Sequence, residues 1–134
     1  MKKLSLLLFA LFALHASAQC WKQLAAGEYH TVAIQEDGTL WAWGMNFNGQ
    51  LGDDSITQTA VPVQIRTDTD CTAISAGQMH SIALKTNGTL WAWGNNDVGQ
   101  LGTGTTATST SPTQVGTDSD WQSFDFGYTH TLAI

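Results

Sequence analysis

Positive charge is scarce in this sequence. Five Lys and Arg stand against 11 Asp and Glu among 134 residues, giving a net charge of −6 and a pI near 4.7. Nucleic acid binding is driven by clustered cations that displace counterions from phosphate. No such cluster exists here, which argues against DNA or RNA as a partner. Long apolar runs are also scarce. The longest, Leu4–Leu14, is 11 residues, too few to cross about 30 Å of hydrocarbon, so no membrane span is expected. Helical periodicity is missing beyond that run. There is no Gly-x-Ser-x-Gly elbow, no paired Cys and His, and no Gly-rich loop followed by Lys-Ser/Thr. The residues therefore point to no catalytic centre, no resident metal and no cofactor. Pro and Cys occur only twice each. Cys20 and Cys71 admit one bridge or two unpaired thiols. A bridge would close a loop of about 50 residues and stabilise by roughly 4 kcal/mol in the chain-entropy model.

What is present begins with a leader. Lys2 and Lys3 precede the apolar run, and Ala16-Ser17-Ala18 follows it as a small-residue cleavage site. This order reads as a signal peptide, residues 1–18, cleaved after Ala18. It predicts a secreted, periplasmic or cell-surface protein. A lipid on Cys20 fits poorly, because the bulky Gln19 precedes it. Removing the leader leaves Lys22, Arg66 and Lys85 against all 11 carboxylates.

The rest of the chain repeats with a 50-residue offset. Gly38–Gly52, GTLWAWGMNFNGQLG, returns as Gly88–Gly102, GTLWAWGNNDVGQLG. Gly27, Gly77 and Gly127 keep the same spacing, as do His30, His80 and His130. Residues 19–134 thus hold two full units, 21–70 and 71–120, and the opening of a third, 121–134. Inside a unit the period is two. His30, Val32 and Ile34 share one face, and Trp41 and Trp43 share another, as do Trp91 and Trp93. Asp37-Gly38 and Asn87-Gly88 supply the positive φ of hairpin turns. Further short strands are expected near 22–26, 72–76, 62–65 and 113–115. Four short strands per unit is the pattern of a propeller blade. Both faces of the Trp strand are apolar, one bulky and one small, as a sheet stacked between two others requires.

These residues resemble a known family. The runs Leu24–Ile34 and Ile74–Leu84, each with small residues, Gly, His and alternating apolars, are similar to the regulator of chromosome condensation repeat. So are the Gly-x-Leu-Trp-x-Trp-Gly and Gly-Gln-Leu-Gly segments that follow. The resemblance implies an all-β fold of β-propeller blades, each a four-stranded antiparallel sheet, usually seven to a ring. About two and a third repeats make an incomplete ring. The third copy departs from the pattern with Phe124-Asp125-Phe126-Gly127. The exchange activity of the family's nuclear founding member is not expected of an acidic, exported chain.

Each striking residue set has a structural reading. His30, His80 and His130 sit on apolar faces, so buried imidazoles bonded to backbone are expected rather than zinc ligands, which take other spacing. Gly44, Gly49, Gly52, Gly94, Gly99 and Gly102 are read as turn and packing positions. The tryptophans are read as core, not as a sugar platform. Asp68, Asp70, Asp118 and Asp120 are read as solvated inter-blade loops, not as a calcium loop. Inside this fixed frame the loop Met45, Asn46, Phe47 and Asn48 differs from the loop Asn95, Asn96, Asp97 and Val98. Variable loops on a fixed scaffold are the candidate binding surface. The expected function is an exported module that contacts a protein or glycan through these loops. The alternatives are part of a secreted hydrolase whose site lies in other blades, or a truncated fragment without a role of its own. Open blade edges predict some self-association.

Overall fold

A computed structural model describes residues 20–134. The expected leader lies outside the described residues. Among the described residues, ten strands form three antiparallel sheets. Blade 1 holds β1 (Trp21–Ala26), β2 (His30–Gln35), β3 (Leu40–Gly44) and β4 (Thr59–Arg66), in that order. Blade 2 holds β5 (Cys71–Ala76), β6 (His80–Lys85), β7 (Leu90–Gly94) and β8 (Ser109–Gln114), again in order. A two-stranded sheet, β9 (Phe124–Phe126) and β10 (Thr131–Ala133), begins blade 3. The described residues contain no helix, and none of their elements is a helix long and apolar enough to cross a membrane.

The hairpins form where their turn residues allow. The Gly38 N–H donates to the Gln35 carbonyl at 2.9 Å, and Gly38 has φ 84°. The Asp37 carboxylate accepts from the Thr39 N–H at 3.0 Å and the Thr39 hydroxyl at 2.6 Å. That hydroxyl accepts the Trp41 indole N–H at 2.9 Å. Asn87, Thr89 and Trp91 repeat the chain of bonds, which an amide oxygen serves as well as a carboxylate.

The fourth strands are longer than the sequence suggests, because each begins before its proline. A bulge between Ala42 and Gly44 opposes Val63 and Thr59 and holds Pro62. Pro112 lies in the equivalent bulge of blade 2. An outer strand with a bulge tolerates a residue that has no N–H.

Blades stack face to face. Register places His30 opposite Gly44, Val32 opposite Ala42 and Ile34 opposite Leu40 on one face of blade 1. Thr31 and Ala33 lie opposite Trp43 and Trp41 on the other. The first face packs on the tryptophan face of blade 2: Val32, Ile34, Leu40 and Ala42 form one buried cluster with Cys71, Ile74, Ala83 and Trp93. Blade 2 repeats the arrangement toward blade 3, where Ile82, Leu90 and Ala92 meet Trp121, Phe124, Phe126 and Ala133. Phe126 thus packs against the core where the other blades have Ala26 and Ala76, Phe124 takes the place of Leu24 and Ile74, and Asp125, in place of Ala25 and Ser75, is exposed. At about 25 cal/mol per Å², burial of such an apolar stack supplies most of the driving force.

Candidate functional site

Two kinds of loop leave the same end of the sheets. The turns between first and second strands carry Glu28-Tyr29, Gln78-Met79 and Tyr128-Thr129. The loops after the third strands carry residues 45–58 and 95–108. They share an end because His30 pairs with Gly44 and His80 with Gly94. The Met45 N–H donates to the Tyr29 carbonyl at 2.9 Å, and the Asn95 N–H to the Met79 carbonyl at 2.8 Å.

Within the third-strand loops, the eight candidate residues fall into three sets. Asn46 and Asn96 are fully buried. The Asn46 amide oxygen accepts the Leu51 N–H at 2.9 Å. Its NH₂ reaches Asp53 Oδ1 at 3.0 Å, the Ser55 carbonyl at 3.1 Å and the Thr57 carbonyl at 3.2 Å. Asn96 bonds the Leu101 N–H and the Thr105 and Ala107 carbonyls in the same way. These two are scaffold, because a side chain whose polar atoms are consumed inside the loop has nothing left to offer a ligand. Met45, Asn48 and Asn95 are half-buried, and the last two link adjacent blades through a bond of 3.3 Å. Phe47, Asp97 and Val98 point outward, Phe47 at 64% and Val98 at 68% exposure.

Gln50 and Gln100, from the Gly-Gln-Leu-Gly segments, are buried keystones that sequence reasoning passed over. Their side-chain oxygens accept the N–H of Asn48 and Val98 at 2.9 and 3.0 Å. The Gln50 carbonyl accepts both the Ser81 hydroxyl at 2.8 Å and the Trp93 indole at 2.9 Å from the next blade.

The histidines are buried in blades 1 and 2 and exposed in blade 3. His30 takes a side-chain partner instead of the expected backbone group, and His80 Nε2 is buried without a partner. His30 Nε2 lies 2.8 Å from Ser81 Oγ. Since that hydroxyl donates to the Gln50 carbonyl, it accepts from His30, which makes His30 the Nε2–H tautomer. Its bare Nδ1 is buried without a partner, over Gly27, where a Cβ would meet the ring at 2.5 Å. Burial first, and His80 second, push the His30 pKa down to about 4. His80 stands edge-on to Phe126, with ring centroids 4.4 Å apart. Burial, with His130 as the lesser cause, lowers its pKa to about 4 as well. No group of three or more His, Cys, Asp or Glu positioned for a metal occurs among the described residues.

The first-strand turns, missed by sequence reasoning, bring an acidic and aromatic group together. Tyr29 and Tyr128 are 47% and 63% exposed. The neighbouring Glu28 carboxylate pushes the Tyr29 phenol above its usual range. The Gln78 side-chain NH₂ donates to the Tyr128 hydroxyl. Glu28, Gln78 and Tyr128 rim a shallow groove of about 300 Å³ floored by Ala26, Ala76 and Phe126. Variation at these turns was visible in the sequence, where Glu28-Tyr29 becomes Gln78-Met79 and Tyr128-Thr129 between the constant Gly and His.

The opposite end is acidic and internally paired. Lys85 Nζ lies 3.1 Å from Asp68 and 3.2 Å from Asp70, and 5.0 Å from the Trp91 ring centroid. These two aspartates are held by a cation of the chain itself. Cys20 and Cys71 are both free thiols, one exposed and one buried, with no bridge between them.

Stacked four-stranded sheets with this strand order define a β-propeller repeat protein. The chain belongs to the Regulator of chromosome condensation (RCC1) repeat family. Family profiles of that description match residues 37–84 and 87–134, and residues 21–50 and 71–100. The first pair of matches runs from the third strand of one blade into the second strand of the next. The X-linked retinitis pigmentosa GTPase regulator of dog, Canis lupus familiaris, is 40% identical over 57 residues, which is 42% of this chain and 6% of that protein. The mitochondrial RCC1 domain-containing protein RUG3 of Arabidopsis thaliana is 40% identical over 48 residues, 36% of this chain and 11% of that one. Yeast RCC1 (Prp20), solved bound to Kap60, superposes with a TM-score of 0.75 at 19% identity, covering 87% of this chain and 30% of that structure. The chain therefore spans a minor part of the length of these relatives.

Proposed function

We propose that this chain is an exported binding module that contacts a protein partner through the loop end of its blades. One observation carries the reading: Tyr29, Phe47 and Tyr128 are exposed at a single end of the sheets, where Glu28, Gln78 and Tyr128 also rim a groove. Large exposed aromatics on a rigid frame supply contact area at little entropic cost. The frame is rigid because the Asn46 and Asn96 side chains and the Gln50 and Gln100 side-chain oxygens bond inside the loops. Yeast RCC1, whose structure was solved with Kap60 bound, supports a protein over a glycan as the partner class. Export rests on the leader sequence, residues 1–18. Among the alternatives, the hydrolase reading gains no support from the loop end, where the buried polar side chains hold structure together.

The test is a selection of displayed peptides and an array of glycans against the full chain, repeated with Phe47→Ala and Tyr128→Ala together. Peptide ligands that lose about tenfold or more in affinity with the double variant support the reading. Ligands indifferent to it, or glycan ligands alone, overturn it. Cleavage of the N-terminus after Ala18 on expression with a secretion pathway, read by mass, tests export separately.

A further inference from the structure

Charge is divided between the two ends of the sheets. Among the described residues the cations are Lys22, Arg66 and Lys85. Register sets all three at the hairpin end, where Trp21 pairs with Gln35, Leu40 with Arg66 and Cys71 with Lys85. The loop end carries Glu28, Asp53, Asp54 and Asp97 and no Lys or Arg. Asp53 is spent on Asn46 and Ser55. Glu28 is exposed and borders the groove of about 300 Å³ built by the turns after β1, β5 and β9. Each of those turns is bounded by its own Gly and His, and residues 26–128 alone line the groove.

The groove sets acceptors beside aromatic rings. The Gln78 NH₂ donates to the Tyr128 hydroxyl, which leaves the Gln78 side-chain oxygen free to accept. The Glu28 N–H turns to the Gly77 carbonyl at 3.4 Å, while its carboxylate stays on the rim. That carboxylate raises the Tyr29 phenol, and after loss of solvent it raises the Tyr128 phenol too, so it stands near both hydroxyls. Phe126 and the Tyr128 ring supply apolar walls. We infer that the groove seats an arginine side chain of the protein partner, its guanidinium held by the Glu28 carboxylate and the Gln78 side-chain oxygen against the Tyr128 ring. This seat rests on the protein-binding reading above and gives that partner its chemistry. A guanidinium presents a flat face to an aromatic ring and paired N–H groups to a carboxylate, whereas an ammonium is a compact, strongly hydrated point charge. The partner supplies the cation that this end of the chain lacks, and an anionic surface is repelled by it.

The test titrates acetyl-arginine amide into the isotope-labelled full chain and follows backbone amide shifts by NMR. Saturating shifts are expected at Glu28, Gln78 and Tyr128. Acetyl-lysine amide should bind more weakly, and acetyl-citrulline amide, of the same shape without the charge, should not saturate. Glu28→Gln should weaken the arginine probe about tenfold. Asp97→Asn, an equal loss of charge outside the groove, should leave it unchanged. No saturation, equal response to arginine and lysine, or equal effects of the two variants overturns the proposal. Should Glu28→Gln unfold, the citrulline probe decides the matter. Peptides selected on the loop end separate this seat from the reading beneath it. Ligands that need Phe47 and Tyr128 but carry no arginine overturn the seat and keep the protein-binding reading. No peptide ligand at all removes that reading and the partner proposed here with it. Arginine-bearing ligands weakened by Glu28→Gln support both.

Discussion

The indole nitrogen of Trp93 donates to the carbonyl of Gln50 at 2.9 Å, tying the third strand of blade 2 to the loop that leaves the third strand of blade 1. The bond needs Gly52 beneath the ring, since any side chain there would occupy the space of the indole. Each blade therefore grips the next through a residue of its own outgoing loop. The Ser81 hydroxyl reaches the same carbonyl and receives His30 Nε2–H, so imidazole, hydroxyl, indole and peptide form one buried knot.

The blade 1/2 interface packs an indole on Gly52, whereas a Cβ on its counterpart Gly102 would meet only the Val115 side chain, at 3.4 Å. Gly52 and Gly102 both have positive φ, 80° and 67°, so alanine at either carries the left-handed penalty of roughly 1–2 kcal/mol. Only at position 52 does the methyl collide with an indole. Gly52→Ala is expected to lose about 2 kcal/mol more than Gly102→Ala, in the range of overpacking costs. Urea unfolding of the two variants measures the difference, and equal losses would contradict the packing described.

The buried histidines make stability depend on pH. In the unfolded chain each imidazole takes a proton near its ordinary 6.5, while in the fold His30 and His80 resist to about 4. The unfolded state then binds more protons between those values, so their contribution is whole above pH 6.5 and is lost as pH falls toward 4. A loss on the order of a few kcal/mol for the pair is expected across that window. The Asp37 carboxyl, held below its usual range by the Thr39 hydroxyl and then its N–H, acts at lower pH. NMR titration of the imidazole C2 protons checks the cause. Two midpoints near 6.5 would remove it.

Much of this architecture was legible, and the reason is periodicity. The 50-residue offset gave the blades, and alternation in His30–Ile34 and Leu40–Gly44 gave their faces. The partner of His30 was not legible, because Ser81 lies in another blade, and register between blades follows from packing rather than from local pattern. The structural roles of Asn46 and Asn96 had a signal that went unused. They are identical in both copies while their neighbours differ, the mark of a frame position inside a variable loop. The first-strand turns vary over only two residues between a constant Gly and His, a weaker signal than the larger loop, although both variable sets leave from the same end.

The thiols should separate cleanly. Cys20 is exposed and Cys71 buried. Burial, then the Asp70 charge, raises the Cys71 pKa to about 11, and the thiolate is the reactive form. At pH 8 the native chain is expected to give one rapid thiol with a disulfide reagent and a second only on denaturation. No titratable thiol without reductant would mean a bridge and would contradict the free cysteines of the structure.

Loop frame and loop surface should respond differently to truncation. Asn46→Ala strands the Leu51 N–H and the Ser55 and Thr57 carbonyls, and a buried unsatisfied group costs about 1–3 kcal/mol. The expected total is roughly 2–4 kcal/mol, because the groups share one loop and some regain water. Phe47→Ala, one residue on, removes a ring that is 64% exposed, and surface substitutions of that kind stay within about 0.5 kcal/mol. The measured order of the two in urea unfolding therefore tests the division between scaffold and contact surface. If Phe47→Ala proved the costlier, the ring would be a packing element, and the loop end would lose the aromatic residue best placed to meet a partner.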